Sequence, residues 1–215
     1  METRNLWRMK LGTVPHEVWE QSNLRVLILA DNDLTQLSPH IGRLQNLRTL
    51  DLGHNLLPQL PEEIGNIEDL SDFLYLHDNQ LDSLPPPMGR LLKLRYLNIS
   101  ENRFTSFPAC ICSMSNLVEL RATDNQISEL PDSIGALSKL RELHLRNNAL
   151  RSLPATIGNL LELRQIDLRG NPIEALPDTL STLPKLEKLD LRWVNTLTPP
   201  AWFDALEARG CLIYT

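Results

Sequence analysis

The chain has little of what usually carries covalent chemistry or cross-links. Its only cysteines are Cys110, Cys112 and Cys211, an odd number that does not read as a disulfide framework. No glycine loop of phosphate-binding form and no nucleophile elbow is present. No stretch approaches the roughly twenty apolar residues of a membrane-spanning helix. The opening METRNLWRMK also lacks the apolar centre of a secretion signal, so no membrane insertion is expected. Excess basic charge is missing as well: a formal net charge of −6 and a pI near 5.4 speak against a general nucleic-acid binder. No Gly/Ser-rich linker divides the 215 residues. Aromatic residues make up only 5%, which makes any local cluster of them informative.

What the chain has in abundance is leucine at fixed intervals. In LRELHLRNNAL (140–150), Leu140, Leu143, Leu145, Asn148 and Leu150 belong to a pattern that recurs along the sequence. Asn148 has counterparts at Asn32, Asn55, Asn79, Asn102, Asn125 and Asn171, spaced 23 residues apart except for one step of 24. That step places one extra residue before Leu74, read as a small bulge near Ser71. Counting back from Asn32 puts Leu6, Leu11, Val14 and Pro15 in frame, and counting forward puts Leu212 and Tyr214 on the positions of Leu189 and Leu191. The frame therefore holds ten strand positions.

Each recurring letter has a physical role. The alternating L-x-L is the period-2 signal of a strand with one buried face. One repeat cannot bury its leucines alone, whereas stacked repeats share a continuous core. The asparagine follows the strand where the backbone turns, and its amide can both donate to and accept from the groups a ladder would have paired. The proline of "LP" suits the first position of a short helix, where a missing N–H costs nothing. The "I-G-x-L" that follows buries one side of that helix and turns it toward the next strand.

The period and the leucine spacing resemble leucine-rich repeats over nearly the whole chain. LPEEIG (60–65), LPDSIG (130–135) and LPATIG (153–158) are similar to the 23-residue class found in Ras-group-related and Scribble-type proteins and in bacterial proteins. The resemblance implies an α/β solenoid, a horseshoe arc with a parallel concave sheet of about ten strands and short helical or 3-10 convex segments. The whole of 1–215 then reads as one domain, with an N-terminal capping repeat (1–23), regular repeats (24–192) and a C-terminal cap (193–215). In that cap PPAWFDALEARG reads as a helix whose Trp202, Phe203 and Leu206 close the core, with Trp193 and Tyr214 adding bulk nearby. Trp7, Trp19 and Gln21 depart from the pattern in the first repeat, where an open strand edge offers a route to self-association of an otherwise monomeric chain. Extracellular members of the family commonly carry cysteine-rich caps; with none here, a reducing, cytoplasmic setting is expected.

Chemistry finds few candidates. Cys110 and Cys112 read as incidental thiols, and His54 and His77, with only Asp78 nearby as a third ligand, read as surface polar groups. No cofactor, metal site or enzyme activity is expected. What remains are the variable positions that flank and split the L-x-L and should face the concave space. Phe73, Tyr75, His77 and Tyr96 gather aromatic rings on adjoining strands, as interface anchors do; alternatively the extra residue tucks Phe73 into the core. Arg121, His144, Arg146, Arg169 and Arg192 form a cationic stretch, either a site for acidic partner residues or a lattice neutralised by Asp167 and Asp190. The sequence thus reads as a non-catalytic scaffold or adaptor that binds an unidentified protein on its concave face. The resemblance adds two alternatives: a regulatory or targeting subunit of a GTPase, kinase or phosphatase, and the substrate-recognition module of a bacterial effector.

Overall fold

In a computed structural model, which describes residues 2–215, every repeat contributes a three-residue strand. The strands are β1 (Thr3–Asn5), β2 (Val26–Ile28), β3 (Thr49–Asp51), β4 (Phe73–Tyr75), β5 (Tyr96–Asn98), β6 (Glu119–Arg121), β7 (Glu142–His144), β8 (Gln165–Asp167), β9 (Lys188–Asp190) and β10 (Leu212–Tyr214). They form one ten-stranded sheet in sequence order, and every neighbouring pair is parallel. The middle residue of each regular strand, such as Leu97 or Leu120, is fully buried, while its neighbours face outward. This alternation follows directly from the pleat. The inward leucines join one continuous core that runs from Leu6 to Cys211.

The convex side is built from five-residue 3-10 helices, from His16–Glu20 to Asp178–Thr182. Their prolines differ from expectation. Pro61, Pro108, Pro131, Pro154 and Pro177 stand one residue before the helix in extended geometry, while Pro39 and Pro86 occupy its start. The reason lies in the carbonyl: that of Pro131 accepts the Ile134 N–H at 3.0 Å and opens the 3-10 turn. The glycine of "I-G" serves close approach. A Cβ on Gly65 would stand 2.3 Å from the backbone oxygen of Pro87 in the next segment.

The asparagines are buried and bond within and between repeats. Asn102 Nδ2 donates to the carbonyls of Leu76 (3.0 Å), Ile99 (3.2 Å) and Ser100 (3.0 Å), and its Oδ1 accepts the Leu81 N–H at 2.9 Å. The residue before each asparagine is left-handed, from Asp31 at φ 59° to Gly170 at φ 68°, which turns the chain off the sheet. Asn102→Ala should therefore cost about 1–3 kcal/mol, because the buried Leu81 N–H loses its acceptor. Val194→Ala, at the ladder position that lacks an asparagine, should cost much less. Chemical denaturation of both variants checks this, and equal losses would remove the ladder as the cause.

The extra residue lies between Leu70 and Leu74, where Arg95 N–H reaches back to the Ser71 carbonyl and both Asp72 and Phe73 bond to Arg48. Strand register is kept across it, with Thr49 opposite Phe73. The C-terminal cap corrects the frame. Ile213 pairs with Leu189, so Leu212 and Tyr214 do not occupy core positions but face the concave side, 58% and 40% exposed. An α-helix, α1 (Phe203–Ala208), followed by Gly210 at φ 90°, replaces the usual 3-10 turn here, and the step from Leu189 lengthens to Ile213. Phe203 and Leu206 close the core as expected, and Trp202 is half-buried, donating its Nε1–H to Asp178 at 3.1 Å. Trp193 does not contribute bulk to the core: it is 64% exposed. At the other end Trp19 is buried, whereas Trp7 lies exposed.

Candidate functional site

The concave face carries two neighbouring zones. On β4 and β5, Phe73 is exposed and Tyr75 and Tyr96 are half-buried, so the extra residue does not tuck Phe73 into the core. The rings touch: Phe73 stacks on Tyr75 at 5.9 Å, and Tyr96 lies 5.5 Å from Phe73 and 5.1 Å from Tyr75. Register explains the contact, since Phe73 stands opposite Tyr96 and one inward leucine separates Phe73 from Tyr75. Burial raises the Tyr75 phenol and pushes that of Tyr96 up to about 12, so both remain neutral donors. Beside Phe73 and Tyr96 lies a pocket of about 250 Å³ with Arg95, Val118 and Glu119 in its wall.

His77 extends the cluster, 6.0 Å from Tyr75. Its Nε2 meets His54 Nε2 at 3.2 Å, and His54 Nδ1 meets Asp78 Oδ2 at 2.7 Å. One tautomer set satisfies both contacts: His54 donates to Asp78 and accepts from His77. His77 Nδ1 is then left as a bare lone pair, in keeping with its having no hydrogen-bond partner. Burial, and next the neighbouring His54, lower the pKa of His77 below the ordinary histidine value.

The second zone is cationic and largely paired. Arg169 grips Asp167 through two bonds of 2.9 and 2.6 Å, Arg192 grips Asp190 at 2.9 and 2.8 Å, and Arg146 reaches Asp124 at 3.0 Å. Asp190 is fully buried. Desolvation alone would raise its carboxyl, yet the Arg192 hydrogen bonds and the charges of Arg169 and Arg192 hold it below the usual carboxylate range. The arginine ladder is thus a neutralised lattice. Within it lies a pocket of about 300 Å³ lined by Arg121, His144, Arg146, Arg169 and Lys188. The Nε of Arg146 is buried there with no partner.

Trp193 and Tyr214, which the sequence reading gave to the C-terminal cap, belong instead to the surroundings of the cationic zone. Trp193, at a left-handed φ of 64° where the regular repeats carry Asp, His, Glu, Asn or Gly, stands beside Arg169. Tyr214 receives Lys188 and Arg192 over its ring at 5.4 and 5.5 Å. The 23-residue frame could have revealed Trp193; Tyr214 was hidden by the lengthened last step. Among the described residues, Glu119, Glu142 and His144 bring three metal-ligating atoms within 4.8 Å of one another. The cysteines are buried or half-buried and unbonded; burial pushes the Cys110 thiol up to about 11 and raises Cys112 too, which disfavours the nucleophilic thiolate.

The leucine rich repeat family model matches residues 22–81, 72–127, 115–173 and 138–197. The chain belongs to the leucine-rich repeat family, whose domains are generally scaffolds that bind proteins. No curated protein sequence matches it. Among solved structures it is similar to the leucine-rich repeat protein LIC12759 of Leptospira interrogans, with 35% identity and a TM-score of 0.87 over 94% of this chain and 52% of that one. It is also similar to the ectodomain of the plant membrane receptor kinase GASSHO1/SCHENGEN3 from Arabidopsis thaliana, solved in complex with Casparian strip integrity factor 2. That match has 31% identity and a TM-score of 0.77, and covers 89% of this chain and 24% of the ectodomain. The chain thus spans about half the length of the leptospiral protein.

Proposed function

We propose that this chain is a non-catalytic adaptor whose protein partner docks on the concave face. The partner is anchored on Phe73, Tyr75 and Tyr96 and extends over Arg121, His144 and Arg146. The aromatic cluster carries this reading: three touching rings, partly open to solvent, sit between strands β3 and β6, whose outward residues Thr49, Asp51, Glu119 and Arg121 are polar or charged. Such clusters are the usual energetic centres of protein interfaces. The plant ectodomain was solved with its own bound factor, which supports the use of this architecture for recognition. A monomer in the reducing cytoplasm fits the three unbonded thiols.

The test is a partner captured by the wild-type chain and then measured against variants of both faces. Arg146→Gln removes a charge without setting a new carboxylate beside Asp124. It should slow association and weaken its dependence on salt where the partner is acidic. Convex Glu62→Ala and Ser133→Ala should stay within about 0.5 kcal/mol of wild type. Losses confined to the convex pair, with Arg146→Gln tolerated, would count against the concave site.

A further inference from the structure

Glu119 and Glu142 stand directly opposite each other on β6 and β7. Like charges so placed repel unless something offsets them. On the neighbouring strands and the turns that follow them, the other carboxylates have a permanent cation: Asp124 has Arg146, Asp167 has Arg169 and Asp190 has Arg192. Glu119 has Arg121 at 2.6 Å. Glu142 is the exception: among the described residues its ion contact is His144 alone, Nε2 to Oε2 at 3.2 Å. The same Nε2 lies 3.9 Å from Glu119 Oε1. In direct contacts, two carboxylates therefore share one guanidinium and one imidazole nitrogen. The surroundings are partly desolvated, with the His144 and Glu119 side chains 17% and 21% exposed, so the repulsion between the carboxylates is only partly screened by water.

We propose that Glu119, Glu142 and His144 bind one divalent transition-metal ion, zinc being the probe of choice. Ligand atoms bonded to zinc at roughly 2.0–2.2 Å stand about 3.3–3.6 Å apart in a tetrahedron. The 3.2 Å contact is close to that spacing, and the 3.9 Å contact and the carboxylate pair, within 4.8 Å, would close to it by side-chain rotation. An imidazole with two carboxylates suits zinc, manganese or iron, whereas calcium and magnesium take oxygen ligands. Arg121 keeps a place in the bound form, since a carboxylate that ligates a metal is commonly held by a further hydrogen bond. Three protein ligands leave a position open toward the concave space, which water fills. The competing occupant is a proton on His144, which would bridge the same two carboxylates.

Calorimetric titration of Zn²⁺ into the full chain, freed of metal by chelation and carrying no histidine tag, tests the site. One ion per chain should bind, and more weakly on acidification, because the imidazole must be unprotonated to ligate. Glu142→Gln and His144→Ala should each weaken binding at least tenfold. Glu142→Gln also relieves the repulsion, so without metal it should melt no lower than wild type. That pairing of lost zinc binding with kept stability separates a ligand from a merely structural residue. The double variant His54→Ala/His77→Ala, at the other histidine contact, should bind zinc as wild type does, and Mg²⁺ should not compete. The proposal is overturned by an absence of saturable zinc binding, by full binding in Glu142→Gln or His144→Ala, or by loss only in the His54/His77 double variant.

Discussion

Phe104→Ala should destabilise the chain by about 3–5 kcal/mol, the cost of emptying a large buried aromatic site. Phe104 is fully buried and is among the largest such side chains in the core. By the repeat frame it stands where Leu57, Leu81, Ile127 and Leu150 stand in neighbouring turns. The convex side shows an accommodation near this bulk. A Cβ on Gly89 would find its nearest neighbour at 3.4 Å, against 2.3 Å at Gly65 and 2.6 Å at Gly135, and the next glycine position holds Cys112. The convex segments are packed less tightly at this step than at the other helical glycines, and alanine cannot fill the space of the ring. Phe104→Leu, which restores the usual residue of the frame, should cost less, about 1–3 kcal/mol. Because each repeat bonds only to its neighbours, a defect at the centre should also uncouple the two halves. Fluorescence of Trp19 and of Trp202, each kept as sole tryptophan in turn, should then report separated transitions in Phe104→Ala. A loss under 1 kcal/mol with coincident transitions would show that the neighbours collapse into the cavity.

How much of this was legible follows from what repeats. The L-x-L pair and the asparagine are answers to local needs that arise in every turn, a buried face and unpaired backbone groups, so one spacing discloses ten strands. The parts that were not legible lie where the turn is built differently. An α-helix and Gly210 lengthen the last step, and that shift of one residue moves Leu212 and Tyr214 from the core to the concave face; a period-2 element exchanges its faces with any such slip. The placement of proline ahead of the 3-10 helices turns on a carbonyl that the sequence does not display. On the concave face the aromatic positions were readable because they share columns of the repeat. The Glu119, Glu142 and His144 group has the same layout, an opposite pair plus the next outward residue, and was not read because its convergence depends on side-chain torsions. The lattice of Arg169, Arg192, Asp167 and Asp190 was open to two readings, and its bidentate geometry supports the neutralised one.

Removing both phenols at the centre of the concave face should be the most damaging change for recognition. Tyr75 and Tyr96 lie 5.1 Å apart on adjacent strands, and a partner that covers one ring must cover the other. Their burial in the free chain is partial, so the remaining ring surface is available to be desolvated by a partner while the backbone positions stay fixed by Leu74 and Leu97 behind them. Rigid aromatic anchors of this kind contribute a disproportionate share of interface energy. Tyr75→Ala/Tyr96→Ala should therefore weaken the captured partner by about 2–6 kcal/mol, which is roughly 30-fold or more in Kd. The double variant should unfold near the wild-type midpoint, because neither ring fills the leucine core. Tyr75→Phe/Tyr96→Phe separates the contributions: it keeps the ring surface and deletes the hydroxyls, and should retain most of the affinity if apolar contact dominates. Equilibrium titration of the same partner with all three chains decides the matter. Wild-type affinity in the double alanine variant would place the interface elsewhere and remove the aromatic cluster as its anchor.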